Sequence, residues 1–220
     1  MKFTLSVILL LMGHLASAQT GYKQKVTDYS SVVFPGQPVH IDTLGQNCYK
    51  YVDSLAVYLV AIREGKEEDD VLDAAKLSEY YEGVIKGILR VTNGKLISKK
   101  AFDTQGLKGI DFVYTSTQNP NVPYLRFQRI IFINNALIAI HFFTFSENKA
   151  AAEIASNKFF NSFVINASGT ELSQGVDHPS AVKLASLLAK LITWTLTYGV
   201  LIGGGAIIVF IVRKFTVRSK

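Results

Sequence analysis

The chain has 220 residues, 49% of them hydrophobic and 18% charged, with one cysteine and a formal charge of +6. Between Gln19 and Val182 there are 16 Lys or Arg and 17 Asp or Glu, a net of −1, so the basic excess lies wholly in the two ends of the chain. A nucleic-acid partner needs a basic face on the folded part, so none is expected, and a single cysteine excludes a disulfide framework and a cysteine-built zinc site.

In chain order, Lys2, the apolar run Leu5 to Met12 and the small triplet Ala16-Ser17-Ala18 have the layout of a secretory signal peptide over residues 1–18, leaving Gln19 as the mature N-terminus. The exported domain spans residues 19–165. Tyr22 to Asp28 reads as a polar lead-in, and Tyr29 to Phe34 as a short strand stopped by Pro35-Gly36. Val39 to Asp42 and Cys48 to Tyr51 are further short strands. Ser54 to Arg63, rich in β-branched and aromatic residues, fits a strand buried on both faces.

Four carboxylates, Glu67 to Asp70, then open a helix predicted from Val71. Its stripe is Leu72, Ala75, Leu77, Tyr80, Tyr81, Val84, Ile85, Ile88 and Leu89, and its stop is Asn93-Gly94. The acids complement the helix dipole; a calcium loop alternates its ligands around a glycine, and this run does not. Lys95 to Thr104 and Leu107 to Ser116 pair through Gln105-Gly106, and Thr117 to Pro123 is a loop. Tyr124 to Ile133 and Ala136 to Phe145 form a hairpin on Asn134-Asn135, apolar on both faces and so central in a covered sheet. Ser146 is expected to cap a helix over Glu147 to Asn161 with the stripe Ala151, Ile154, Ala155 and Phe159, and Ser162 to Ile165 closes the domain. The order predicts an α+β fold: one antiparallel β-sheet flanked by helices.

Asn166 to Ser180 is small, polar and unpatterned, Ala181 to Lys190 reads as a short helix running into the span, and residues 166–186 are assigned as a flexible stalk and juxtamembrane segment. Leu191 to Val212 carries no Asp, Glu, Lys or Arg and matches the hydrocarbon layer of a bilayer as a helix, so a transmembrane helix is assigned to 187–212. Arg213, Lys214, Arg218 and Lys220 make 213–220 a basic cytoplasmic tail. The expectation is a single-pass type I membrane protein with its domain outside the cytoplasm. Gly199 and Gly203 form a GxxxG that suits helix packing in the membrane, by self-association or against another span.

Chemistry-bearing residues are few. His141 lies in a strand and reads as packed and hydrogen-bonded; His40 and Asp42 share a strand face, a weak pair for metal or base work. Cys48 reads as a buried core thiol. No nucleophile elbow, Walker loop or HExxH is present, so no catalytic residues, cofactor or metal are assigned. Asn166-Ala167-Ser168 is a glycosylation sequon in hosts that glycosylate exported proteins.

Phe34-Pro35 after a short strand, Gly106-x-x-Gly109-x-Asp111 opening another, the hairpin Arg126 to Phe145 and the helix end Phe159-Phe160-Asn161-Ser162-Phe163 together resemble the PsbP-like α/β/α sandwich superfamily, which includes small envelope proteins of the DcrB type. The resemblance runs from Tyr29 to Ile165. It implies that fold and a role in binding or assembly, with no shared catalytic set; its usual members are soluble or lipid-anchored, so a C-terminal span departs from it. The first expectation is a non-catalytic module that binds or stabilises another envelope protein or complex. The alternative is a small-molecule sensor or carrier with a pocket between sheet and helices, lined by Tyr80, Tyr81, Phe127, Phe132, Phe142 and Phe143, although these aromatics fit a filled core better.

Overall fold

Nine consecutive residues without a charge, Ala136–Thr144, are buried at every position and form the middle strand of the protein. The structure is a computed structural model and describes residues 21–43, 46–64, 70–71, 76–116, 123–166, 172–174 and 177–178. The predicted signal peptide, the predicted transmembrane helix with Gly199 and Gly203, and the predicted basic tail lie outside them. So do residues 117–122 of the predicted loop and 67–69 of the acidic run.

Seven antiparallel strands make the main sheet in the order β3 (Val39–Thr43), β4 (Gln46–Val52), β5 (Val57–Glu64), β10 (Ala136–Thr144), β9 (Leu125–Ile133), β8 (Leu107–Ser116) and β7 (Gly94–Thr104). The central hairpin turns on Asn134 and Asn135 at φ 48° and 60°. Two left-handed residues in a two-residue turn match the twist of the flanking strands, and asparagine tolerates that conformation. The β7–β8 hairpin uses the same device at Gln105 and Gly106, φ 55° and 79°.

Helix α1 (Leu77–Val91) lies on one face, with Leu77, Tyr80, Tyr81, Val84, Ile85 and Ile88 packed against Ile110, Phe112, Ile130, Phe132 and Leu137. It ends as expected: the Thr92 hydroxyl and amide both donate to the Ile88 carbonyl, and Asn93 turns left-handed at φ 47°. Its beginning differs from the expectation. Asp70–Val71 (β6) pairs antiparallel with Asp177–His178 (β12) instead of starting the helix.

The other face is covered by a three-stranded sheet of β1 (Tyr22–Thr27), β2 (Ser30–Phe34) and β11 (Val164–Ile165), and by α2 (Lys149–Asn161). Their core is aromatic: Tyr58 meets Phe142 and Phe159 edge-on at 5.1 and 5.2 Å, and Phe34 lies 5.2 Å from Phe159. The sheet thus has helices on both faces, in an α+β fold.

Three local expectations are corrected. Tyr22 to Asp28 is no simple lead-in: it forms β1, held by backbone pairing to β2 although Val26 alone is buried. Ser146 begins a 3-10 turn rather than capping a helix, and α2 follows Asn148, whose side chain makes no cap bond. The buried side of α2 is Ala152, Ser156, Phe159 and Phe160, with Ile154 75% exposed. The large rings at the C-terminal end set the rotation of a helix whose other residues are mostly small or polar.

Within the stretch read as a stalk, Leu172–Gln174 is docked on the domain. Leu172 is buried in the aromatic core. The Asn134 amide donates to the Ser173 carbonyl (2.9 Å) and the Ser173 amide to Asn134 Oδ1 (2.8 Å). Gln174 accepts from the Lys108 amide (2.7 Å) and donates to the Lys108 and Phe132 carbonyls. We call this segment the strap.

Candidate functional site

Among the described residues, three places bring polar groups together. The first lies between the sheet and α2 and contains four of the residues that carry the family resemblance, Gly109, Asp111, Arg129 and Phe160. Gly109 is buried so tightly under the Phe102 ring that a Cβ there would sit 2.1 Å from a ring carbon. The Arg129 guanidinium lies over the other part of that stack, 4.1 Å from the Phe102 centroid. It donates to both carboxylate oxygens of Asp111 and to the Phe160 carbonyl. Lys100 approaches Asp111 at 3.9 Å from β7. With every strong donor and acceptor satisfied, this hub joins α2 to the sheet. A shallow groove of about 250 Å³ runs beside it, past Lys99, Ser156 and Asn157.

The second place is a row on the α1 side of the sheet. Strand pairing sets His141 opposite Gln128, Arg126 opposite Phe143, and Tyr114 opposite Arg126, all on one face. His141 and Gln128 are 0% exposed and Arg126 2%. Arg126 Nε donates to the Pro123 carbonyl at 3.4 Å, and its guanidinium lies 5.8 and 5.4 Å from the Tyr114 and Phe143 rings. Neither nitrogen of His141, neither amide atom of Gln128, nor Arg126 Nη1 has a hydrogen-bond partner, and the Tyr114 hydroxyl is also without one. Burial, with the charge of Arg126 behind it, pushes His141 down to about 3. Burial raises the Tyr114 phenol, which Arg126 partly opposes. At neutral pH the row therefore carries one charge, the guanidinium, among neutral groups.

The third is an open, polar cleft of about 560 Å³ at the end of the sheet beside the strap, lined by Lys25, Tyr29, Asn47, Tyr49, Glu64 and Asn135 among others. The Tyr29 hydroxyl donates to the Ile133 carbonyl and so fixes one wall.

The residues singled out from sequence are dispersed. His40 and Asp42 are exposed on β3, with the His40 ring 5.1 Å from Tyr49, and are not joined to another cluster. Cys48 is a core thiol, 1% exposed, and burial pushes it up to about 12. His141 is packed as expected but, contrary to expectation, has no hydrogen bond. Of the Thr117 to Pro123 loop, Pro123 is described and meets Arg126. The six aromatic residues proposed as a pocket lining are all buried, and Tyr80 with Phe132, like Phe127 with Phe142, packs edge-on within the core. Sequence reading missed the strap, the cleft and the polar row. The row alone had a signal: a two-residue turn at Asn134-Asn135 already sets Gln128 opposite His141.

No family model matches the sequence, and no curated protein matches it. In shape it is similar to the solution structure of cyanobacterial PsbP (CyanoP) from Synechocystis sp. PCC 6803. The TM-score is 0.51 at 13% identity, over 68% of this chain and 95% of that one. The crystal structure of PA94, a Pseudomonas aeruginosa protein of unknown function, superposes with a TM-score of 0.43 at 12% identity, over 67% of this chain and 99% of that one, too distant to argue from. The fold is thus PsbP-like, as the resemblance implies. Identity of this order establishes architecture, not activity.

Proposed function

We propose that the chain is a membrane-anchored, extracytoplasmic, non-catalytic module that binds or stabilises another envelope protein, using the polar cleft beside the strap. The observation behind this reading is the strap itself. It holds residues 172–174 at the end of the domain that carries the cleft, and twelve residues, 179–190, separate His178 from the apolar run starting at Leu191. At about 3.3 Å per residue that is roughly 40 Å at full extension. A cleft tethered so close to a bilayer meets a membrane partner at high effective concentration. The cleft suits a protein partner: it is open, it mixes Lys25 and Glu64 with Tyr49 and three asparagines, and tyrosine at such a surface offers contact area at low entropic cost.

The test is affinity capture of the full chain through a C-terminal tag, in mild detergent at native expression. A stoichiometric membrane partner is expected, lost in Tyr49→Ala and Glu64→Lys variants that keep the wild-type melting temperature. Empty capture, or a partner retained by both variants, would overturn the reading. Release of the intact chain by alkaline carbonate would overturn the anchoring.

A further inference from the structure

We propose that the row Tyr114, Arg126, Gln128 and His141 is a binding site for a small monovalent anion, a short carboxylate or a halide, held between the sheet and α1. Two independent observations carry it. The first is charge. On the α1 side, the three strands that carry the row, β8, β9 and β10, present Lys108 and Arg126 and, among the described residues, no carboxylate of their own, and the inward residues of α1 are uncharged. The second is unmet hydrogen bonding. Arg126 Nη1, the Gln128 amide, both His141 nitrogens and the Tyr114 hydroxyl are buried without partners. Each such group is destabilising if left unmet, and a buried guanidinium without a counter-charge is more so. One anion answers both. It neutralises Arg126 and accepts from the Gln128 Nε2 amide, the Tyr114 hydroxyl and whichever His141 nitrogen bears the proton. Leu59 and Phe143 flank His141 and supply the apolar wall that favours a compact, weakly hydrated ion. The Asp111–Arg129 hub offers the contrast: on the opposite face of the same strands, every charge already has its partner.

The experiment uses the full chain in a nonionic detergent, labelled with ¹⁵N at histidine and arginine, with gluconate as the background anion. Sodium acetate, sodium chloride and uncharged acetamide are titrated separately. Saturable movement of the His141 and Arg126 signals with acetate, chloride or both, and none with acetamide, is the expected result; the first two arms tell a carboxylate site from a general small-anion site. Arg126→Gln and Gln128→Leu should weaken binding about tenfold or more, the loss of one charge-assisted bond. No saturable movement with either anion in the wild-type protein, or equal movement with acetamide, overturns the proposal and leaves buried water as the partner. Unchanged affinity in a folded variant overturns it as well.

Discussion

Arg129 meets Asp111 directly across the β8–β9 pair, with Nε donating to Oδ1 at 2.7 Å and Nη2 to Oδ2 at 2.9 Å. Both side chains are about nine-tenths buried, so the pair stands in a low-dielectric setting where breaking it strands a charge. Asp111→Ala is expected to lower unfolding stability by about 3–5 kcal/mol, whereas the double change Asp111→Leu, Arg129→Leu loses much less because neither charge is left alone. Urea unfolding of the wild-type protein and these two variants checks this. A double mutant no better than Asp111→Ala would show that the pair is not what the site depends on.

Gly109 lets Phe102 approach the sheet so that Arg129 can stack on it. An alanine Cβ would lie 2.1 Å from a Phe102 ring carbon and 2.8 Å from the Ile130 carbonyl oxygen. Gly109→Ala should cost about 1–3 kcal/mol by overpacking. Adding Phe102→Leu relieves only the side-chain clash, because the Ile130 oxygen is backbone. Partial rescue in thermal unfolding is the expected result, and full rescue would contradict the backbone clash.

The central hairpin and α1 were legible because each has a strong one-dimensional signature: apolar residues on both faces around Asn134-Asn135, and a stripe from Leu77 to Leu89 at helical spacing. β1 was not, since YKQKVT buries one valine and owes its conformation to β2. The rotation of α2 was misread because Ala150, Ala151 and Ala152 carry almost no directional signal, and docking of Phe159 and Phe160 decides it. The polar row shows what pattern reading loses. Arg126, Gln128 and His141 look like isolated interruptions of apolar strands until the hairpin register puts them side by side. The strap was invisible for another reason: its hydrogen bonds run to Lys108, Phe132 and Asn134, far along the chain.

Cys48 packs with Leu59, Ala61 and Phe143 on the α1 side of the sheet, and its thiol is held protonated up to about pH 12. Only the thiolate reacts with alkylating reagents. At pH 8, iodoacetamide labelling of native protein should therefore proceed only through opening of the fold, and should speed up in Asp111→Ala in proportion to its loss of stability. Stoichiometric labelling within minutes under native conditions would show that the thiol is reached without unfolding.

His141 titrates near 3 when folded against an ordinary value of 6.5. Above about pH 6.5 it is neutral in both states and stability is unaffected. As pH falls, the unfolded chain takes up the proton first, so stability is lost progressively between about 6.5 and 3, on the order of 4 kcal/mol if the whole interval is crossed. The groups that set this are its burial and Arg126 on β9; Tyr114 on β8 and Lys50, beyond Leu59 on β4, share its face, and the inward side of α1 adds no charge. His141→Leu should flatten the pH dependence of urea stability in that window, and saturating acetate should do so partly in the wild-type protein if the row holds an anion. A slope unchanged by His141→Leu would mean that other groups carry the acid sensitivity.

Leu172 and Gln174 hold the strap by different means, one buried in the aromatic core and the other bonded to Lys108 and Phe132. Leu172→Ala is expected to cost about 2–3 kcal/mol, near the low end for a buried leucine because the segment ends at the surface and can resettle. Gln174→Ala leaves the Lys108 amide to solvent and should cost less, about 1 kcal/mol. Hydrogen exchange separates local release from general loss of stability. Detachment exposes the amides of Lys108 and Asn134 while those of Ile138 and Ile140, deep in β10, stay protected. If protection fell equally at all four, the strap would be part of the cooperative core rather than a separately held tether.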